Sequence, residues 1–180
     1  PPSRHDKTGG GIQEACNPMT LPAPDDAGYH NLVKLVSLGY TEGFYHRPRI
    51  DKDALAAHST GLIGLSGCLA GEIATQVRAG LEPEAQRTAL QFADIFGPGR
   101  FYLELMDHGI EDQRRVNEGL VRLHGRTGLP LVVTNDAHYL RKEDHQAHDV
   151  LLCIGSGKKV HEEDRLRFDT EEFYLKSPEQ

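Results

Sequence analysis

The chain has 180 residues, 38% hydrophobic and 26% charged, with a formal net charge of −7 at pH 7. That length allows one ordinary domain with a real core, and the acidic balance argues against a chain built mainly to grip nucleic-acid phosphate. No run approaches the roughly 18 apolar residues of a membrane span, nothing resembles a secretory signal, and Cys16, Cys68 and Cys153 form no C-x-x-C pair, so a reducing, cytoplasmic setting without a membrane partner is expected.

Residues 1–27 carry Gly9-Gly10-Gly11 and the prolines Pro1, Pro2, Pro18, Pro22 and Pro24, with almost no periodic apolar pattern, and read as loop. The start Pro-Pro-Ser-Arg, without methionine, reads as the start of an excerpt. Asp25-Asp26 then offer an N-cap for a helix over 27–42, carried by Leu32, Leu35 and Leu38 and stopping near Gly43. A second, short helix is expected from Ile50-Asp51, with Asp51 as its cap and Leu55 as its apolar anchor. Leu62-Ile63-Gly64-Leu65 reads as a strand between turn residues.

Helices follow over 72–79 and 82–96, the second with Ala85, Leu90, Ala93 and Phe96 on one face and Gly97-Pro98-Gly99 as its stop. A strand is expected at 101–106 and an amphipathic helix at 110–123, closing near Gly125 or Gly128. A strand at 130–134, a helix at 144–154 broken by Gly155-Ser156-Gly157, and a short strand at 173–175 complete the chain. Strands alternating with helices over short connections indicate an α/β fold with a parallel sheet or barrel.

In such folds the chemistry collects where strands end. The first strand runs into Ser66-Gly67-Cys68, the second into Asp107-His108-Gly109, and the third into Asn135-Asp136-Ala137-His138. In an extended chain Asp136 and His138 project to the same side. Thiolate, carboxylate and imidazole together suit zinc, with manganese or iron as alternatives at a mixed site. Cys68, Asp136 and His138 are therefore the candidate ligands. Cys153 reads as a small core residue, His108 as a turn residue, and Glu104 as buried and paired or as exposed, depending on its face. His145 and His148 share one face of a helix rich in charge and read as solvated. Arg47-Pro48-Arg49 and Lys158-Lys159 could touch phosphate. P-loop, G-x-G-x-x-G and G-x-S-x-G patterns are absent from the sequence.

Several blocks, in order, resemble one family. They are Asn31-Leu-Val-Lys-Leu-Val-Ser37, Gly43-Phe-Tyr45, Pro48-Arg49-Ile50-Asp51, Gly61-Leu-Ile-Gly-Leu-Ser-Gly-Cys68 and Phe101-Tyr-Leu-Glu-Leu105. Further along come Arg114-Arg-Val-Asn-Glu-Gly-Leu120, Thr134-Asn-Asp-Ala-His-Tyr139, Ala147-His-Asp-Val-Leu-Leu-Cys-Ile154, Arg167-Phe-Asp169 and Phe173-Tyr-Leu-Lys-Ser-Pro178. Together they are similar to the polymerase-and-histidinol-phosphatase (PHP) domain of bacterial replicative DNA polymerase III alpha subunits. The similarity runs from about residue 28, weakly including Ser3 to Thr8.

The resemblance implies part of a distorted, TIM-like (β/α)7 barrel with its N-terminal strands missing: residues 1–27 as a divergent, loop-rich remnant and 28–180 as the C-terminal part of the PHP domain, without polymerase palm, fingers or thumb. It implies up to three divalent metal ions, with Cys68, Asp136 and His138 among the ligands, and 3′–5′ exonuclease proofreading in some members. The implied parent is a DNA-directed DNA polymerase, a nucleotidyltransferase of DNA replication. Its partners would be DNA, the rest of the alpha subunit and replisome subunits: sliding clamp, clamp loader and a separate proofreading subunit. Two departures stand out. The family's early H-x-H and its next ligands fall upstream of residue 1, and Pro18 stands where another histidine is expected. A non-catalytic scaffold for the polymerase, and a free-standing PHP phosphoesterase, are the alternatives.

Overall fold

A computed structural model describes residues 3–7, 16–177 and 179–180. The run Gly9-Gly10-Gly11 lies outside the described residues, as do Pro1, Pro2, Thr8 and Pro178.

Helix α1 spans Asp26–Thr41 and starts as expected, with the Asp25 carboxyl accepting from the Gly28 N–H at 2.7 Å. Gly28 is required there, because a β-carbon would lie 2.0 Å from the Gly61 carbonyl oxygen. Gly28, Leu35 and Gly39 form the buried stripe, while Tyr29, Val33, Val36 and Tyr40 remain exposed. Helix α2 spans Lys52–Ala57 and is capped by Asp51, whose side chain accepts from the Ala54 N–H. Asp51 also takes the Arg4 backbone N–H at 2.8 Å and its guanidinium at 3.0 Å, while Arg4 Nε donates to Glu42 at 2.7 Å. One carboxyl thus caps the start of a helix and anchors a segment 47 residues away.

Strand β1 is only Gly64–Leu65, shorter than the predicted 62–65. The Leu62 N–H donates to Ser59 O and the Ile63 N–H to Pro22 O, so neither serves a sheet ladder. After helices α3 (Glu72–Arg78) and α4 (Glu82–Phe96) comes β2 (Phe101–Leu105), which pairs in parallel with β1 through Gly64 with Phe101 and Leu65 with Tyr102. Helix α5 (Glu111–Thr127) runs past Gly125, and β3 (Leu131–Val133) completes a three-stranded sheet in the order β1–β2–β3. Helices between sheet strands bear out the α/β reading.

The α4 bounds match the sequence expectation, but its inner face does not. Ala85, Ala89, Phe92 and Phe96 are buried and Leu90 is exposed. Steps of four, three and four residues keep one face, whereas Leu90, five residues after Ala85, is turned well away from it. Phe92 and Phe96 both stack on Phe101, at 5.5 and 6.0 Å between centroids. Gly64 makes room for them, since a β-carbon there would meet the Phe96 ring at 2.4 Å. With Leu62, Ile73, Leu103, Val116 and Leu120, these rings form the main core. Each such side chain, fully buried, stabilises by about 1.5–3 kcal/mol before entropy is counted.

The chain divides into two compact units, Pro1–Leu105 with Val116–Val132, and Met106–Arg115 with Val133–Gln180. The second contains a one-turn 3₁₀ helix (Lys142–Asp144) and helix α6 (His145–Ser156). The predicted strand at 173–175 is instead a single parallel bridge between Tyr139 and Tyr174. Asp136, at φ +42°, breaks the extended run before a ladder can form.

Burial of the Asp51 carboxyl opposes ionisation, but hydrogen bonds from the Arg4 and Ala54 N–H groups and from the Arg4 guanidinium outweigh it and hold the group below its usual range. The folded value therefore lies below the unfolded one. The stabilisation is complete above the ordinary carboxylate pKa of about 4 and is lost as pH falls through the folded value. We expect Asp51→Asn to lower the melting temperature at pH 7 and to flatten its decline below about pH 4. Parallel melting curves of the two proteins against pH check this.

Candidate functional site

Cys68 belongs to the first unit. The turn that carries it is clamped to β2 in both directions. The Glu104 N–H donates to Ser66 Oγ at 2.9 Å, the Gly67 N–H donates to Glu104 Oε2 at 3.0 Å, and the Ser66 N–H donates to Tyr102 O. Glu104 is accordingly buried and paired. Gly67 sits at φ +84°, with Pro18 O 2.7 Å from where its β-carbon would be. Gly71 passes so close to the Ser66 carbonyl that it admits no side chain, and its N–H donates to Cys68 O. The turn is thus rigid, and Cys68 on it is partly exposed. At Ser66 the turn borders a cleft of about 260 Å³, which is lined by Cys16, Pro18, Asp51, Lys52 and Glu72 among others and not by Cys68. Cys16, Cys68 and Cys153 are all free thiols, and only Cys153 is buried.

Asp136 and His138 belong to the second unit. The extended geometry expected across them is corrected: Asp136 takes the left-handed conformation, and both residues are exposed. The cause is local. His138 Nδ1 donates to the Asp136 carbonyl at 2.6 Å, closing a tight turn, and the His138 N–H donates to Phe173 O at 2.8 Å. A ring whose Nδ1–H is held by a backbone carbonyl presents Nε2 as its acceptor, the arrangement usual for metal-binding imidazoles.

His108 has a different task. It is 1% exposed and sits face to face with Phe173 at 3.9 Å. The His108 N–H donates to Gln113 Oε1, so the Gln113 amide nitrogen is the donor to His108 Nδ1 at 2.7 Å. That leaves Nε2 donating to Asn135 O at 2.8 Å. Asn135 in turn donates to the carbonyls of Glu172 and Tyr174. Both ring nitrogens are committed, and they hold the turn that carries Asp136 and His138.

His148, expected on a solvated face, is half-buried. Its ring packs against His138 at 5.5 Å, Tyr139 at 5.3 Å and Phe168 at 4.9 Å. Burial first, and then His138, lowers its pKa. His145 pairs instead with Glu171 at 3.2 Å, and Arg165 binds Asp149 in a two-pronged ion pair at 2.6 and 2.7 Å. That guanidinium holds the Asp149 carboxyl below its usual range. The signal for His148 lay in the helix period, since His145, His148, Asp149, Leu152 and Cys153 form one stripe.

Among the described residues, no group of three His, Cys, Asp or Glu side chains is placed to hold a metal ion. Within the second unit, Asp136 and His138 are joined by the imidazole–carbonyl bond. Of the two, His138 has the donor arrangement that suits a metal ligand. Among the described residues, no helix is long and apolar enough to cross a membrane.

An α/β chain with a cysteine turn after one strand and a D-x-H turn after another is what comparison then identifies: the chain belongs to the PHP domain family, whose model matches residues 7–108. Among curated proteins it is 48% identical over 162 residues to the DNA polymerase III subunit alpha of Borreliella burgdorferi, covering 90% of this chain and 14% of that protein. It is 42% identical to the subunit from Treponema pallidum and 44% identical to that from Thermus aquaticus, in each case over 179 residues, 99% of this chain and 15% of theirs. The chain therefore spans about 15% of the length of these relatives. The likeness extends before residue 28 and is not limited there to the weak similarity of Ser3 to Thr8 that the sequence blocks showed.

His108→Leu removes both ring bonds and leaves the Gln113 side chain and Asn135 carbonyl short of partners. We expect a loss of about 1–3 kcal/mol, together with faster hydrogen exchange at the His138 amide. Denaturant unfolding and amide exchange measure the two effects, and unchanged exchange would refute the clamp.

Proposed function

We propose that this chain is a segment of the alpha subunit of a bacterial replicative DNA polymerase, acting in DNA replication. Its residues 28–180 would form the C-terminal part of a distorted (β/α)7 barrel. Similarity to three alpha subunits over 90–99% of the chain carries this reading. Its partners are then DNA, the rest of the subunit, and the sliding clamp, clamp loader and separate proofreading subunit of the replisome, in the cytoplasm. The parent activity is DNA-directed DNA synthesis.

Within it, Cys68, Asp136 and His138 are proposed as metal ligands, with zinc favoured over manganese or iron by the mixed sulfur, nitrogen and oxygen donors. The His138 Nδ1 bond to Asp136 O supports this for the imidazole. A divalent ion there would acidify water and stabilise charge on a phosphodiester, which is the chemistry 3′–5′ excision needs.

A second reading is a non-catalytic scaffold for the polymerase. Pro18 favours it, because its carbonyl lies against Gly67, next to Cys68, yet proline offers no side-chain ligand where the family resemblance expects histidine.

The test uses the polypeptide of the full reading frame, with bound zinc, manganese and iron quantified and 3′–5′ excision assayed beside Asp136→Asn. For a proofreading site we expect bound metal in the parent protein and at least about tenfold slower excision in the variant. Absence of bound metal with no variant-sensitive excision leaves the scaffold.

A further inference from the structure

His148 has no role in the reading above, and its surroundings are unusual for a packing residue. Neither of its ring nitrogens has a hydrogen-bond partner among the described residues, although the ring is half-buried among Tyr139, Phe168 and His138. His138 has its Nδ1 tied to Asp136 O, which leaves Nε2 as its acceptor. Two imidazoles with available lone pairs thus adjoin, 5.5 Å between centroids and inclined at 68°.

That separation can be compared with coordination geometry. With zinc–nitrogen bonds of about 2.0–2.1 Å, each ring centroid lies roughly 3.2 Å from the ion, and a tetrahedral opening then sets the centroids roughly 5.2 Å apart. The observed 5.5 Å is close to this value. Phe168 and Phe173 pack edge-on against the His138 ring at 4.9 and 5.6 Å and restrict its rotation.

The cavity onto which His148 opens, about 530 Å³, is also lined by Tyr139, whose hydroxyl is buried without a partner among the described residues. A bound water or ion is what ordinarily satisfies such an atom. Asp149 lines the same cavity but is held in the Arg165 ion pair, so it cannot supply a ligand without breaking two short bonds.

We propose that His138 and His148 together form a two-imidazole site for a transition-metal ion of the zinc class, whose remaining positions are open to water or to an oxygen ligand. The proposal rests on the reading of His138 as a metal ligand and adds His148 to it. Asp149, held by Arg165, is not part of the site.

The full chain, freed of metal by chelation, is titrated with zinc alone, with side-chain nitrogen NMR of the histidines and a competing chelator as readouts. His138→Gln, His148→Gln and, as a control, His30→Gln are compared, and thermal melts establish that each is folded. We expect the ring signals of His138 and His148 to shift together at substoichiometric zinc. His138→Gln and His148→Gln should each weaken zinc binding by about tenfold or more, and His30→Gln, on exposed α1 ground, should leave the paired shifts in place. If His138→Gln abolishes binding while His148→Gln binds as the parent does, the proposal falls and His138 stands as a ligand. Zinc that moves neither ring in the parent chain overturns both. Should His148→Gln fail to fold, the parent chain's ring shifts decide the matter alone.

Discussion

The buried side chain of Glu104 sets the register of the first unit. It accepts from the Gly67 N–H while its own backbone N–H donates to Ser66 Oγ, so the turn after β1 and strand β2 hold each other through crossed side-chain bonds. A slip of one residue would turn Glu104 to the other face of the sheet and leave a buried polar group without its partner. The register in turn decides where Phe101 lies beneath Phe92 and Phe96, and where the turn to Cys68 begins. Core packing and placement of a candidate ligand thus depend on one buried carboxyl.

The second unit is organised on another principle. Where the first has an aliphatic and phenylalanine core, the second packs imidazoles among phenyl rings: His108 on Phe173, and His138 and His148 around Phe168. Flat rings with polar edges can fill such space and still direct hydrogen bonds. Backbone bonds from His138 and Leu175 to the facing segment stand in for the ladder that a strand would have made.

Much of the first unit was legible because its signals are local. Asp25 and Asp51 cap the helices they were expected to cap, and α4 has the expected bounds. What was not legible depends on tertiary partners. The Leu62 and Ile63 N–H groups are taken by Ser59 and Pro22, which no pattern within 62–65 announces. Helix α6 is the instructive failure. Val150, Leu151 and Ile154 are exposed while His148 turns inward, the reverse of what hydropathy suggests. Of the site, residue types at strand ends pointed to Cys68, Asp136 and His138, but the turn that sets Asp136 arises from a side-chain bond to its own carbonyl, invisible to residue alternation.

Asp136 is one of two non-glycine residues at positive φ among the described residues. A β-carbon in that conformation costs about 1 kcal/mol and glycine costs nothing. Mutation guided by folding stability alone would drift at this position toward glycine, which relieves the backbone and discards the carboxyl. Aspartate kept there for its carboxyl would set a chemical demand against a conformational one. Position 136 is therefore a point where the two demands can be read against each other: across related chains, its occupant should report whether the turn is being kept for what its side chain does or only for the bend it makes.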